Sequence, residues 1–226
     1  MPAVEPGRCG EHWDDCPRLA EGDRFDFACA GCGDCCRQRR DLVLSGYDLY
    51  RIARRLSLPP RIVAAAFCKS YLAPESCLPA LRLTPDPKTG NCRFFEGSAC
   101  TIHAARPLAC ALYPLGQSID TVTAQTEYYV QTPLCGARAG KVRTLQDYLQ
   151  DSAVLDRAGV DARWAIVCTQ LSHRLQAAGG TDNPRFSAAV RRMERALYYD
   201  YELGDDFYPQ FCQNIEILMP LLDRML

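Results

Sequence analysis

The chain has 226 residues, 48% of them hydrophobic, and its 26 Lys and Arg nearly balance its 27 Asp and Glu to leave a net charge of -1 at pH 7. That balance excludes the basic footprint of a nucleic-acid binder or of a protein drawn to an anionic membrane. No segment approaches the ~18 consecutive apolar residues of a membrane span. The apolar fraction suffices for a buried core without cross-links, so the 14 cysteines need another explanation.

Met1 to Asp15 has no apolar stretch between a basic start and a small-residue cleavage site. No secretory signal is expected, and the chain is assigned to the cytoplasm. In a reducing compartment, cysteine richness points to metal ligation or redox chemistry rather than to a disulfide framework.

Residues 1–28 are rich in Pro, Gly and charge and read as an irregular N-terminal arm. A cysteine-cluster metal-binding domain is expected over 29–143, with a helical C-terminal segment over 144–226 packed on it. Within the domain, Ser45 is placed to cap a helix over 46–57 carrying Leu49, Ile52, Ala53 and Leu56 on one face. Pro59-Pro60 suits the start of a second helix running to about Tyr71. Leu81 and Leu83, the turn-rich Asp86 to Asn91, and Cys92-Arg93-Phe94-Phe95 predict a short hairpin. Thr121 to Gln131 reads as a strand.

From Thr144 onward the pattern is helical. Trp164, Val167, Cys168, Leu171 and Leu175 form an apolar stripe that stops before Gly179-Gly180. A further helix is expected from Asn183 or Pro184, and a last one from about Tyr208 with Phe211, Ile215, Leu218 and Leu222. The predicted fold class is mainly α with a small irregular β hairpin, the cysteine-rich metal-binding loops packing on a helical domain.

Phe27-Ala-Cys29-Ala-Gly-Cys32-Gly-Asp-Cys35-Cys36 carries the strongest chemistry. A C-x-x-C step lets two sulfurs reach one metal while nearby backbone N–H groups face the thiolates. Two overlapping steps end here in a doublet, and adjacent cysteines rarely bridge each other without strain. Gly31 and Gly33 permit the tight turns of a metal loop. A second group, Cys92-x7-Cys100-x9-Cys110, and the later Cys135 are weaker by spacing alone. Cys9, His12 and Cys16 put two thiols and an imidazole within one short stretch, a candidate additional metal site. Cys68 and Cys77 read as buried or incidental thiols, and Cys168 and Cys212 as core residues. His103 follows Cys100 by three residues, where it is placed to ligate metal or to hydrogen-bond a thiolate, or stands as a partly exposed loop histidine.

Together the F-x-C-x-x-C-G-x-C-C opening and the Cys92 to Pro114 segment, with its Arg106-Pro107 and Tyr113-Pro114 steps, resemble the YkgJ-type cysteine-cluster family of zinc- or iron-chelating proteins. The resemblance spans about residues 25–150. Cys135-Gly-Ala-Arg-Ala-Gly140 departs from the related glycine-rich step in having Ala where a Gly is common. Carried over by position, the resemblance implies Cys29, Cys32, Cys35, Cys36, Cys92, Cys100, Cys110 and Cys135 as cofactor and metal ligands. It also brings in the cysteine domain of flagellin lysine-N-methylases, thought to hold an iron–sulfur cluster.

Zinc and iron–sulfur centres both accept four cysteines, so spacing does not separate them. Four sulfurs gathered in one run, rather than two separated knuckles, favour iron. The expected cofactor is an iron–sulfur cluster, 4Fe-4S favoured, used in redox, sensing or catalysis, with a protein redox partner or protein substrate. The alternatives are a non-catalytic zinc-binding structural or interaction module and a methyltransferase-like enzyme using the centre. No G-x-x-x-x-G-K-[ST], strand-linked G-x-G-x-x-G or H-E-x-x-H stands in the chain.

Overall fold

Ser45 opens the first helix as expected: its hydroxyl accepts from the Asp48 N–H while the Asp48 carboxylate accepts from the Ser45 N–H, both at 3.1 Å. This reciprocal cap starts α1 (Gly46–Leu56), which buries Leu49, Ile52 and Ala53 on one face. A computed structural model describes the chain at residues 3, 15–27, 29, 32–37, 42–97, 99–133 and 142–226.

Helix α2 (Pro60–Phe67) begins with proline at its first position and stops sooner than its periodicity predicts. Cys68 is already extended and opens a strand, Cys68–Leu72. The cause is tertiary. Strand Pro79–Leu83 buries Pro79, Ala80, Leu81 and Leu83, and a strand in that setting needs partners for its backbone groups along both edges. Cys68–Leu72 pairs with one edge, from Cys68↔Leu83 to Leu72↔Pro79, and Val43–Leu44 pairs with the other.

The predicted hairpin is also redrawn. Asp86 does organise its turn, its Oδ1 accepting from the Lys88 and Thr89 N–H groups at 3.0 and 2.8 Å. A single bridge, Pro85↔Cys92, closes that turn. The chain then turns again into a separate ribbon, Phe95–Glu96 paired with Ala99–Cys100.

Numbered in chain order, the strands are β1 (Arg18–Leu19), β2 (Arg24–Asp26), β3 (Val43–Leu44), β4 (Cys68–Leu72), β5 (Pro79–Leu83), β6 (Phe95–Glu96), β7 (Ala99–Cys100), β8 (Leu115–Ile119), β9 (Thr126–Val130) and β10 (Val142–Thr144). They form antiparallel sheets ordered β3-β5-β4, β1-β9-β8, β10-β2 and β6-β7. The remaining helices are α3 (Leu108–Leu112), α4 (Leu145–Asp151), α5 (Ala158–Ala177), α6 (Phe186–Glu194) and α7 (Phe207–Met225), with a π-helical turn, Arg195–Tyr199, continuing α6.

The mainly α expectation is therefore corrected. The described residues are 49% helical and 19% strand, and their strands make four small sheets rather than one irregular hairpin, so the class is mixed α and β. Short strands escape a periodicity reading because two or three residues show no alternation. Two of them, β1 and β2, lie in the stretch expected to be irregular, where Leu19, Phe25 and Phe27 are buried.

Two cores hold these elements. The first gathers Leu49, Ile52 and Ala53 of α1, Leu81 and Leu83 of β5, and the apolar faces of α5, α6 and α7 around Phe211. The second gathers Leu19, Phe25, Phe27, Tyr113, Val130, Leu145 and Tyr148. No helix among the described residues is long and apolar enough to cross a membrane.

Candidate metal centre

The cysteine segments converge where the two cores meet. A cavity of about 550 Å³ is lined by Phe94, Ile102, Leu42 and Leu83 from the first core and by Phe27, Ala111, Tyr113 and Tyr148 from the second. Its wall also carries six of the eight resemblance-derived candidates: Cys29, Cys35, Cys36, Cys92, Cys100 and Cys110. Cys32 is exposed and is not among the lining residues. Cys135, Cys9 and His12 lie outside the described residues. Cys16 is buried and disulfide-bonded, and sulfur in that state is not a thiolate donor.

Local chemistry sets each segment in place. Gly33 stands in the left-handed region at φ 75°, and a Cβ there would lie 2.3 Å from the Phe95 ring. Only glycine allows both the turn and the contact. The turn leads into a short 3-10 helix, Asp34–Cys36, whose Arg37 donates to the Cys32 carbonyl at 2.8 Å and to Asp34 at 2.5 Å. The Cys92 N–H donates to the Cys36 carbonyl at 2.8 Å, fastening the second cysteine segment to the first.

Cys110 rides on α3, whose first N–H, that of Leu108, donates to Asp48 at 3.0 Å. One carboxylate thus caps α1 and α3 together. Arg51 of α1 donates to the Ala104 carbonyl at 2.7 Å and holds the loop between Cys100 and Cys110 from the same side.

The Cys35 and Cys36 sulfurs stand 4.0 Å apart. The hydrogen bond its S–H makes to Cys35 pushes the Cys36 thiol well above its ordinary pKa, and burial and the neighbouring Cys35, Cys92 and Cys100 push the same way. Burial also raises Cys92 and Cys100, against the backbone N–H groups of Phe94 and Ile102 that favour their thiolates. These are sulfurs that keep their protons until a cation replaces them. Among the described residues, no three His, Cys, Asp or Glu side chains stand as a finished ligand set. The thiols surround a space rather than converge on a point.

His103 lines the same cavity. Burial and the neighbouring Arg106 guanidinium lower its pKa, and the imidazole accepts from Arg106, whose Nη1 lies 2.5 Å from Nε2. His173 is placed elsewhere, in a groove with Trp164 and Tyr198. Arg143, Tyr148, Asp151 and Ser152 also line the thiol cavity. None of them sits in a cysteine motif, and the contribution of β10 and α4 appears only on folding.

Exposure sorts the thiols along a different line from the cavity wall. Burial pushes both Cys68 and Cys168 up to about 12, whereas Cys29 and Cys32 are exposed. In metal-free protein at about pH 8, iodoacetamide is expected to modify Cys29 and Cys32 well before Cys68 and Cys168, because the thiolate is the nucleophile. Site-resolved mass spectrometry reads the order.

Residues 28–136 match a family model described as a "putative zinc- or iron-chelating domain". This stretch is therefore a metal-chelating domain, for zinc or iron. Over these residues the chain matches the CxxCxxCC family model. No curated protein and no solved structure matches the chain.

Proposed function

We propose that the protein holds iron as an iron–sulfur cluster, 4Fe-4S favoured, in the cavity between its two cores, and uses it in electron transfer, sensing or catalysis. The observation that carries this reading is the gathering of six cysteines around one cavity. That exceeds the four thiolates of one structural zinc site and leaves room for a multinuclear centre. Cys29, Cys35, Cys36, Cys92, Cys100 and Cys110 are the ligand candidates, with Cys32 and Cys135 completing the set carried over from the family. The wall of Phe27, Phe94, Phe95, Ile102 and Tyr113 supplies the low polarity that, with hydrogen bonds to sulfur, tunes a cluster's potential. The assignment to the cytoplasm and a protein redox partner or protein substrate belong to the same reading.

The test is iron and acid-labile sulfide analysis, with a visible spectrum, on protein purified without oxygen. The expected result is iron with stoichiometric sulfide and sulfur-to-iron charge-transfer absorption. Cys36→Ser and Cys92→Ser, which alter two cavity sulfurs from different segments, are expected to lose both iron and colour. A colourless protein containing zinc, with no iron after anaerobic handling, would replace the cluster by a zinc-binding module.

A further inference from the structure

Two arginines share the thiol cavity, and their surroundings differ. Arg106 is engaged with the His103 ring. Arg143 donates through Nη1 to Asp151 at 2.7 Å, and its Cζ lies 5.8 Å from the Tyr148 ring centroid. The Nε of Arg143 is buried and, among the described residues, has no hydrogen-bond partner. A buried N–H of a charged group left without an acceptor costs more than a neutral one, so an acceptor is expected when the site is complete.

The position of Arg143 follows from strand pairing. In β10 it stands opposite Phe25 of β2, and cross-strand partners share a face. Phe25 is fully buried edge-on to Tyr148, at 5.2 Å between centroids. Two residues on, Phe27 returns to that face and lines the cavity, and Cys29 follows. The Tyr148 phenol, raised to about 12 first by burial, is also lowered by Arg106 and Arg143 and raised by Cys29. All four groups therefore stand within electrostatic reach of one corner of the cavity.

Resting on the metal-centre reading above, we propose that Arg143 is a positioning residue of that centre, its Nε–H donating to a metal-bound cysteine thiolate. The hydrogen bond draws electron density off the sulfur and offsets part of the negative charge that several thiolates bring to one metal. Asp151, far more exposed than Arg143, holds the other edge of the guanidinium.

The test uses the full chain and cobalt(II) alone as the probe, titrated against a competing chelator. Arg143→Met is expected to weaken cobalt binding roughly 10- to 100-fold, the range seen when outer-shell partners of metal ligands are removed. Its sulfur-to-cobalt charge-transfer band is expected to move to lower energy, because the sulfur lone pairs are no longer stabilised. Asp151→Asn keeps the guanidinium and removes only an exposed partner's charge, so a change of no more than a few-fold is expected. Thermal unfolding of both variants checks that they fold. Wild-type affinity and an unshifted band in Arg143→Met would overturn the proposal. So would an equal loss in Asp151→Asn, which would trace the effect to the ion pair. If the wild-type chain takes up neither cobalt nor iron, the metal-centre reading itself fails, a result distinct from either.

Discussion

Replacing Arg157 by methionine is expected to lower the unfolding free energy by about 3–5 kcal/mol, the range for removing one partner of a buried ion pair. Arg157 is 2% exposed. Its Nε and Nη2 donate to the two Asp161 oxygens at 2.6 and 2.8 Å, and Nη2 also reaches Asp48 at 2.8 Å. Burial opposes the guanidinium charge, but the two carboxylates outweigh it and keep the Arg157 pKa above its ordinary value. Without the cation, two buried carboxylates stand together with only the backbone N–H groups of Ser45 and Leu108 on Asp48, and the charge of Arg51, to offset them.

The pH dependence follows from that arrangement. Burial already raises the Asp161 pKa while the Arg157 hydrogen bond and charge pull it down, so in Arg157→Met its folded-state pKa stands further above the unfolded value. Groups shifted that way favour the folded state fully below the unfolded pKa, and the benefit is lost as pH rises through the folded one. The deficit against wild type is therefore expected to be largest at neutral pH and to narrow toward about pH 4. Denaturant titrations of both proteins at several pH values measure it, and a deficit independent of pH would show that packing, not charge, is what the arginine supplies. Because Asp48 also receives the Leu108 N–H at the start of α3, the damage reaches the helix that carries Cys110.

A second large effect is expected from the smallest side-chain addition. Gly→Ala inside a helix ordinarily stabilises by up to ~1 kcal/mol. At Gly46 the sign reverses. A Cβ there would stand 2.0 Å from the Leu197 carbonyl oxygen and 2.8 Å from the Trp164 ring. Leu197 belongs to the π-helical turn, so the opposing atom is backbone and cannot rotate away. Gly46→Ala is expected to cost about 3 kcal/mol, the upper part of the usual range for overpacking. Chemical denaturation reads it, and an unchanged or improved midpoint would mean that α1 and the π turn slide apart freely.

Comparison of particular elements shows why some of this was legible beforehand. Helix α1 was, because its cap lies within four residues and its apolar face repeats over eleven. The apolar stripes of α5 and α7 emerged for the same reason. The β4 strand was not: Pro60 to Leu72 carries an apolar pattern that suits a helix, and β5, arriving from later in the chain, converts its last third to a strand. The ribbon β6-β7 and the pair β2-β10 are too short to show alternation at all.

By itself the sequence determined the cysteine doublet and its overlapping C-x-x-C steps and the helices whose signals are local. Those properties depend on residues within a turn or two of each other. Only the tertiary structure decided that Cys92, Cys100 and Cys110 share a cavity with Cys29, Cys35 and Cys36 while Cys68 and Cys168 do not. It alone set Arg143 beside the cysteines and Arg157 between Asp48 and Asp161. The reason is physical: burial, cavity shape and a guanidinium's choice of carboxylate depend on groups separated by tens of residues, which meet only when the two cores close around them.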